Sequence, residues 1–148
     1  MTAKTAQIER GQLQLVAAGE QRIQVESEGR SLLASNVVPI HTAITVTFQV
    51  MNNGVDVLAL RTLTIAVRGP GVTCQDRNAI RWSAADIPFP AVTNLTLQPG
   101  DIYEYRGSRA LYLPGTYFFE PVRQDTAGNW GGIQPFTCFD LRVVEDGR

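Results

Sequence analysis

The chain has 148 residues, 44% of them hydrophobic and 18% charged, with a formal net charge of −1. That length and balance suit one domain with a self-sustaining core and exclude wholesale disorder. Scattered arginines, a single lysine (Lys4) and no basic run give no electrostatic reason for nucleic acid as a partner, and no apolar stretch is long enough for membrane insertion.

The N-terminal MTAKTAQIERGQ lacks the charged-then-apolar order of a signal peptide. The chain is therefore either not exported by that route or a piece of a longer secreted protein. Leu13 and Leu15, then Ile23 and Val25, alternate weakly and predict two strands joined at Ala18-Gly19-Glu20. Residues 1–35 thus read as N-terminal strands or an extension. They either pair within the domain or reach a neighbouring chain, because edge strands recruit partners.

Period-two alternation dominates residues 36–148. Ile44, Val46, Phe48 and Val50 oppose Thr45, Thr47 and Gln49; Leu63, Ile65 and Val67 oppose Thr62, Thr64 and Ala66. Each run reads as a strand with one buried face. Asn52-Asn53-Gly54 between them is a turn signal, so residues 43–68 form a hairpin or a short crossover. Residues 72–92 are irregular and long for a connection in a compact domain, and long loops tend to be functional. Pro99-Gly100 and Pro114-Gly115 each precede a strand, carrying Tyr103 and Tyr105 in one case and Tyr117 and Phe119 in the other. One of these tyrosines suits a corner role, with its hydroxyl bonded to nearby backbone. Asp125 to Asn129 is a turn, and Phe139, Leu141 and Val143 alternate along the last strand. Short β-branched and aromatic strands with turn signals every 8–12 residues, and no helical stripe, predict an all-β protein: an antiparallel β-sandwich of seven to nine strands.

Few residues offer chemistry. The single histidine, His41, stands at a strand entrance without a nucleophile motif, and the carboxylates are dispersed over separate loops and strands. The expectation is that the chain is not an enzyme. Two cysteines and one distant histidine cannot make a zinc set, and no cofactor is expected. Asp125, Asn129 and the carbonyls of Gly128 and Gly131 have the atoms for a Ca²⁺ site, but the same residues make a good turn, and no metal is expected. Cys74 and Cys138 are either bonded, which would pin the 72–92 loop to the last strand and imply an oxidising compartment, or free as small apolar fillers.

Aromatics not consumed by the alternation are the candidates for ligand contact. Trp82 lies in the long loop with Asp76, Arg77 and Arg81 to supply hydrogen bonds. Trp130 follows the 125–129 turn, and Tyr112 precedes Leu113-Pro114. Flat rings flanked by polar groups suit sugar faces; the competing reading makes Trp130 a lid on the core. The expectation is binding through the end of the sandwich carrying 72–92 and 125–133, with Trp130 beside Trp82.

In order, a strand ending in NNG, a strand ending in RGP, then LQPGD-x-Y, LPGTYFF and QDTAGNW resemble bacterial immunoglobulin-like modules. The nearest are CARDB-like and other adhesion-type sandwich domains of secreted and cell-surface proteins. The resemblance spans residues 36–146, and the family shares no catalytic residues. It implies an immunoglobulin-like sandwich in an extracellular or cell-surface context, serving as an accessory or adhesion module that binds carbohydrate or protein. The alternative is a structural subunit that forms a homo-oligomer or fibre through its N-terminal strands.

Overall fold

The computed structural model describes residues 13–16, 22–33, 35–79 and 89–145. Eleven strands among them form two sheets. The first sheet contains β1 (Leu13–Val16), β2 (Gln24–Ser27), β3 (Arg30–Ser31), β5 (Ala43–Asn52) and β8 (Ile102–Ala110). The second contains β4 (Val37–Pro39), β6 (Leu58–Arg68), β7 (Val92–Leu97), β9 (Gly115–Asp125), β10 (Trp130–Gly132) and β11 (Phe139–Val144). The all-β sandwich is as the alternation predicts, but with eleven strands instead of seven to nine. Five strands are only two to four residues long: β1 and β2, which the alternation of Leu13, Leu15, Ile23 and Val25 predicts, and β3, β4 and β10, which are too short or too irregular for a periodicity count to detect. The ladders are antiparallel except β4 on β11, which is parallel.

Each sheet is organised on one long strand. In the first, β8 runs along one edge of β5, pairing from Ala43↔Ala110 to Met51↔Ile102. The other edge carries β1 and β2 end to end, with Val16 opposite Gln49 and Gln24 opposite Thr47. The two expected N-terminal strands are present and do not pair with each other; their joint at Ala18-Gly19-Glu20 lies outside the described residues. They are two halves of one edge, both engaged with β5 of their own chain. In the second sheet β9 has β6 on one edge and β11 followed by β10 on the other.

The segment 43–68 is a crossover. β5 and β6 lie in opposite sheets, β8 returns to β5 and β9 to β6, which is the Greek-key weave of immunoglobulin-like sandwiches. Asn52 makes the crossing possible. It is fully buried, its Nδ2 donates to the carbonyls of Asp56 and Leu97 (both 2.9 Å), and its Oδ1 accepts the Gly54 N–H at 3.0 Å. Its main-chain N–H donates to Asp101 O and its carbonyl accepts from Gly100 N. One residue thus joins the β5–β6 crossing, the end of β7 and the β7–β8 turn.

The core between the sheets contains Ile44, Val46, Phe48 and Val50 of β5, Leu63, Ile65 and Val67 of β6, and Phe119, Phe139 and Leu141. Phe48 stacks on Tyr105 at 4.9 Å, and Phe119 meets Phe89 and Phe139 edge to face. The outer face of the first sheet is polar, with Thr45 paired to Ser108 and Gln49 to Glu104. On the second sheet the expectation of one buried face fails. Thr62, Thr64 and Ala66 are buried as well, together with Phe118, Glu120 and Val122 on the same side of the sheet. The cause is tertiary: β6 is an interior strand, and the two described ends of the 72–92 segment are anchored on this outer face. Cys74 N–H donates to Asp140 Oδ1 at 2.7 Å and Thr64 Oγ1 donates to Pro90 O at 2.9 Å. Cys74 and Cys138 form a disulfide with a Cα–Cα distance of 6.0 Å, which ties the start of the segment beside β11.

Two tyrosines bolt strands to loops. Tyr117 Oη donates to Leu113 O at 2.7 Å, four residues upstream, in the manner of a tyrosine corner. Tyr105 Oη donates to Pro90 O at 2.7 Å, and Gly107 leaves it room, since a Cβ there would overlap the phenol oxygen.

Asn52→Ala removes three side-chain bonds and strands the buried Leu97 carbonyl. It should cost about 2–4 kcal/mol in urea unfolding, and Asn52→Asp, which replaces the donor, should not restore it. Burial pushes the Tyr105 hydroxyl above the ordinary tyrosine value of 10.0. A raised acid favours the protonated fold, so this stability is complete below pH 10 and lost as pH rises through the folded-state value. Tyr105→Phe should therefore lower stability by about 1 kcal/mol at pH 7 and flatten the alkaline loss, read as urea midpoints at pH 7 and pH 10.5.

Candidate ligand-binding face

The turn that begins the site is self-contained. Asp125 Oδ1 accepts the N–H groups of Ala127 (3.0 Å) and Asn129 (2.9 Å), while Asp125 N–H donates to Asn129 O. Gly128 takes φ +95°, which L side chains rarely adopt, and its N–H donates to Asp125 O. The Asn129 amide, with help from Ala127 and Arg123, holds the Asp125 carboxyl below its ordinary value. The aspartate that sequence offered to calcium is thus bonded to its own turn, and the Gly128 carbonyl accepts from Gln124 Nε2. No three acidic, histidine or cysteine side chains converge as a metal set among the described residues.

This turn sets Trp130 directly opposite Gln124, and the register continues across the sheet from Gln124 to Thr62 and from Thr62 to Thr93. Residues in direct antiparallel register share a face. Indole, amide and two hydroxyls therefore form one row across β10, β9, β6 and β7. They face outward: Trp130 is half-buried and takes no part in the core between the sheets, so it is not a lid on that core. Gln124 cannot rotate freely. Thr62 Oγ1 donates to its Oε1 at 2.9 Å and its Nε2 donates to Gly128 O at 3.1 Å, leaving one amide N–H to point elsewhere.

A bulge between Leu60 and Thr62 gives Arg61 to this row. Arg61 is exposed, and a Cβ on Gly128 would lie 3.5 Å from its Nη1, so the glycine carries the guanidinium alongside the turn. Together with Ala91 these groups line an open groove of about 460 Å³.

Of the described ligand-contact candidates singled out from sequence, this face contains Trp130 but neither Asp76 nor Tyr112. Trp82, Arg81 and the side chain of Arg77 lie outside the described residues. Asp76 Oδ2 accepts the Thr73 N–H at 2.8 Å and caps the 3₁₀ turn Cys74–Ala79. That turn sits by Asp140, which pairs with Phe118, six residues along β9 from Gln124 and so about 20 Å away. Tyr112 is exposed at the opposite end of the sandwich, its ring 5.2 Å from His41. The described residues of 72–92 divide between two ends: Gly71 leaves the sheet at Thr116, far from the 125–129 turn, whereas residues 90–92 approach the groove, and 80–88 lie outside the described residues.

Gln124, Thr62, Thr93 and Arg61 escaped notice because they come from three strands with no sequence proximity. One signal was present. Leu58 and Leu60 have the opposite parity to Leu63, Ile65 and Val67, and that slip marks the bulge at Arg61.

No family model matches the chain, and no curated protein does. Among solved structures it is similar to the C-terminal domain of Wzt, at 10% identity and a TM-score of 0.55, over 93% of this chain and 77% of that one. A structural-genomics target, SoR45, aligns at 10% identity and a TM-score of 0.44, over 92% and 89% of the two chains, and adds no weight. At that identity the likeness to the Wzt domain is one of fold, a β-sandwich module.

Asp125→Asn keeps an acceptor for the turn but removes its charge. A lowered acid stabilises the fold above its ordinary value of 3.8 and loses that contribution as pH falls through the depressed value. Thermal unfolding of the variant should therefore fall less between pH 5 and pH 2 than that of the parent.

Proposed function

We propose that this chain is a non-catalytic accessory or adhesion module of an extracellular or cell-surface protein, and that it binds carbohydrate on the outer face of its second sheet. The observation carrying this reading is the row of Trp130, Gln124, Thr62 and Thr93 across four strands, opening into the groove. A sugar ring needs an aromatic plane for its C–H face and fixed polar groups for its hydroxyls. Trp130 offers the plane, Thr93 an exposed hydroxyl, and Gln124 an amide already oriented by Thr62 and Gly128. Preorganisation of this kind spares the ordering cost of binding.

The described lining holds no carboxylate, imidazole or thiol. The Cys74–Cys138 bond supports an oxidising compartment and, with it, the extracellular setting.

Trp130→Ala should weaken binding to a cognate glycan at least tenfold in isothermal titration while leaving the circular dichroism spectrum and unfolding midpoint nearly unchanged, because the ring is outside the core. A glycan array with no ligand, or a Trp130→Ala variant that binds as the parent does, would sink the proposal.

A further inference from the structure

Among the described residues the groove carries one formal charge, and it is positive. Arg61 is the charged residue of the described lining, exposed beside Gly128, and no hydrogen bond or ion pair holds it among the described residues. Asp125, opposite Leu60 on the neighbouring strand, has its Oδ1 turned into the amides of Ala127 and Asn129 and forms no ion pair with Arg61. The bulge at Arg61 matters here. In an unbroken β6 the alternation from Leu60 would put residue 62 on the core face, whereas the extra residue lets Thr62 face outward and brings Arg61 to the rim of the same groove. An exposed arginine with no ion-pair partner among the described residues, next to an aromatic plane and a fixed amide donor, presents two kinds of contact at once. The plane takes a sugar ring, and the planar fork of N–H donors takes a carboxylate through two parallel hydrogen bonds.

We infer that the groove selects acidic glycans, with Trp130 stacking on the ring and Arg61 reading a carboxylate on the same or the adjoining sugar. This inference rests on the carbohydrate-binding reading above. The amide N–H left on Gln124 adds a donor on the same side, and no acceptor-rich acid opposes it in the described lining. A neutral sugar would satisfy Trp130 and leave Arg61 in water.

The test is an array of uronate and sialic acid oligomers, each printed beside its methyl ester, so that ring and linkage are constant and only the charge differs. The full chain should bind one or more acids about tenfold or more tightly than the matching ester, with the preference shrinking at high salt. Arg61→Gln, a change at an exposed position, should bring acid and ester to equal affinity, while Trp130→Ala should weaken both. Equal binding of acid and ester by the parent, or a preference that survives Arg61→Gln, overturns the acidic-glycan assignment and leaves carbohydrate binding standing. Binding to no acid and no ester, but to neutral glycans alone, overturns it likewise. Silence across the acidic, esterified and neutral glycans overturns both readings.

Discussion

At Asn52 a polar side chain is taken wholly out of water, and each of its polar groups is bonded to a different piece of backbone. Burying an amide is costly unless its donors and acceptor find partners, so the residue either organises its surroundings or destabilises them. Here it organises them. The carbonyls of Asp56 and Leu97 and the amide of Gly54 converge on one side chain, while Gly100 and Asp101 meet its main chain. The consequence is that β5, β6, β7 and β8 are fixed relative to one another where the chain passes between sheets. The Greek-key crossing, and the alignment of β6 against β9 that places Thr62 opposite Gln124, follow from that end of the sandwich being held.

The two sheets share a second device. Each has a central strand with one continuous neighbour and, on its other edge, two short strands laid end to end: β1 and β2 on β5, β11 and β10 on β9. Splitting an edge frees the chain between the halves to leave the sheet and return. Between β11 and β10 that freedom has a use. β10 comes from the tight turn after β9 and sets Trp130 in register, whereas Ile133 turns into the core and the chain then leads to the disulfide at Cys138 before β11 begins. Trp130 is therefore held by a ladder on one side and left open on the other. An aromatic ring in that position can offer its face without unfolding anything.

Much of the fold was legible. Ile44, Val46, Phe48 and Val50 alternate so strictly that their burial required no further information, and Asp125 to Asn129 named its turn by composition. Asn52 was visible only as part of a turn signal; that it would be buried depended on Leu97 and Gly100, more than forty residues away. Thr62 and Thr64 misled for the same reason. Their polarity suits a wet face, yet each donates to a specific acceptor, Gln124 Oε1 or Pro90 O, that only the packed sheet supplies. Of the candidate site, Trp130 could be picked out because the turn did not explain it. Tyr112 and Asp76 were equally eligible by type, and the strand directions separate them from it by tens of ångströms.

What the sequence determined by itself is local and periodic: the strand faces, the positions of the turns and the all-β class. These depend on neighbours within a few residues, where backbone preference and side-chain parity act directly. The tertiary structure decided which strands are neighbours. It turned the 43–68 segment into a crossing, made one edge from β1 and β2, joined Cys74 to Cys138, and assembled Trp130, Gln124, Thr62 and Arg61 on one face. Register between distant strands is set by the burial and hydrogen bonding of the whole sandwich, and a groove built across four strands exists only once that register is fixed.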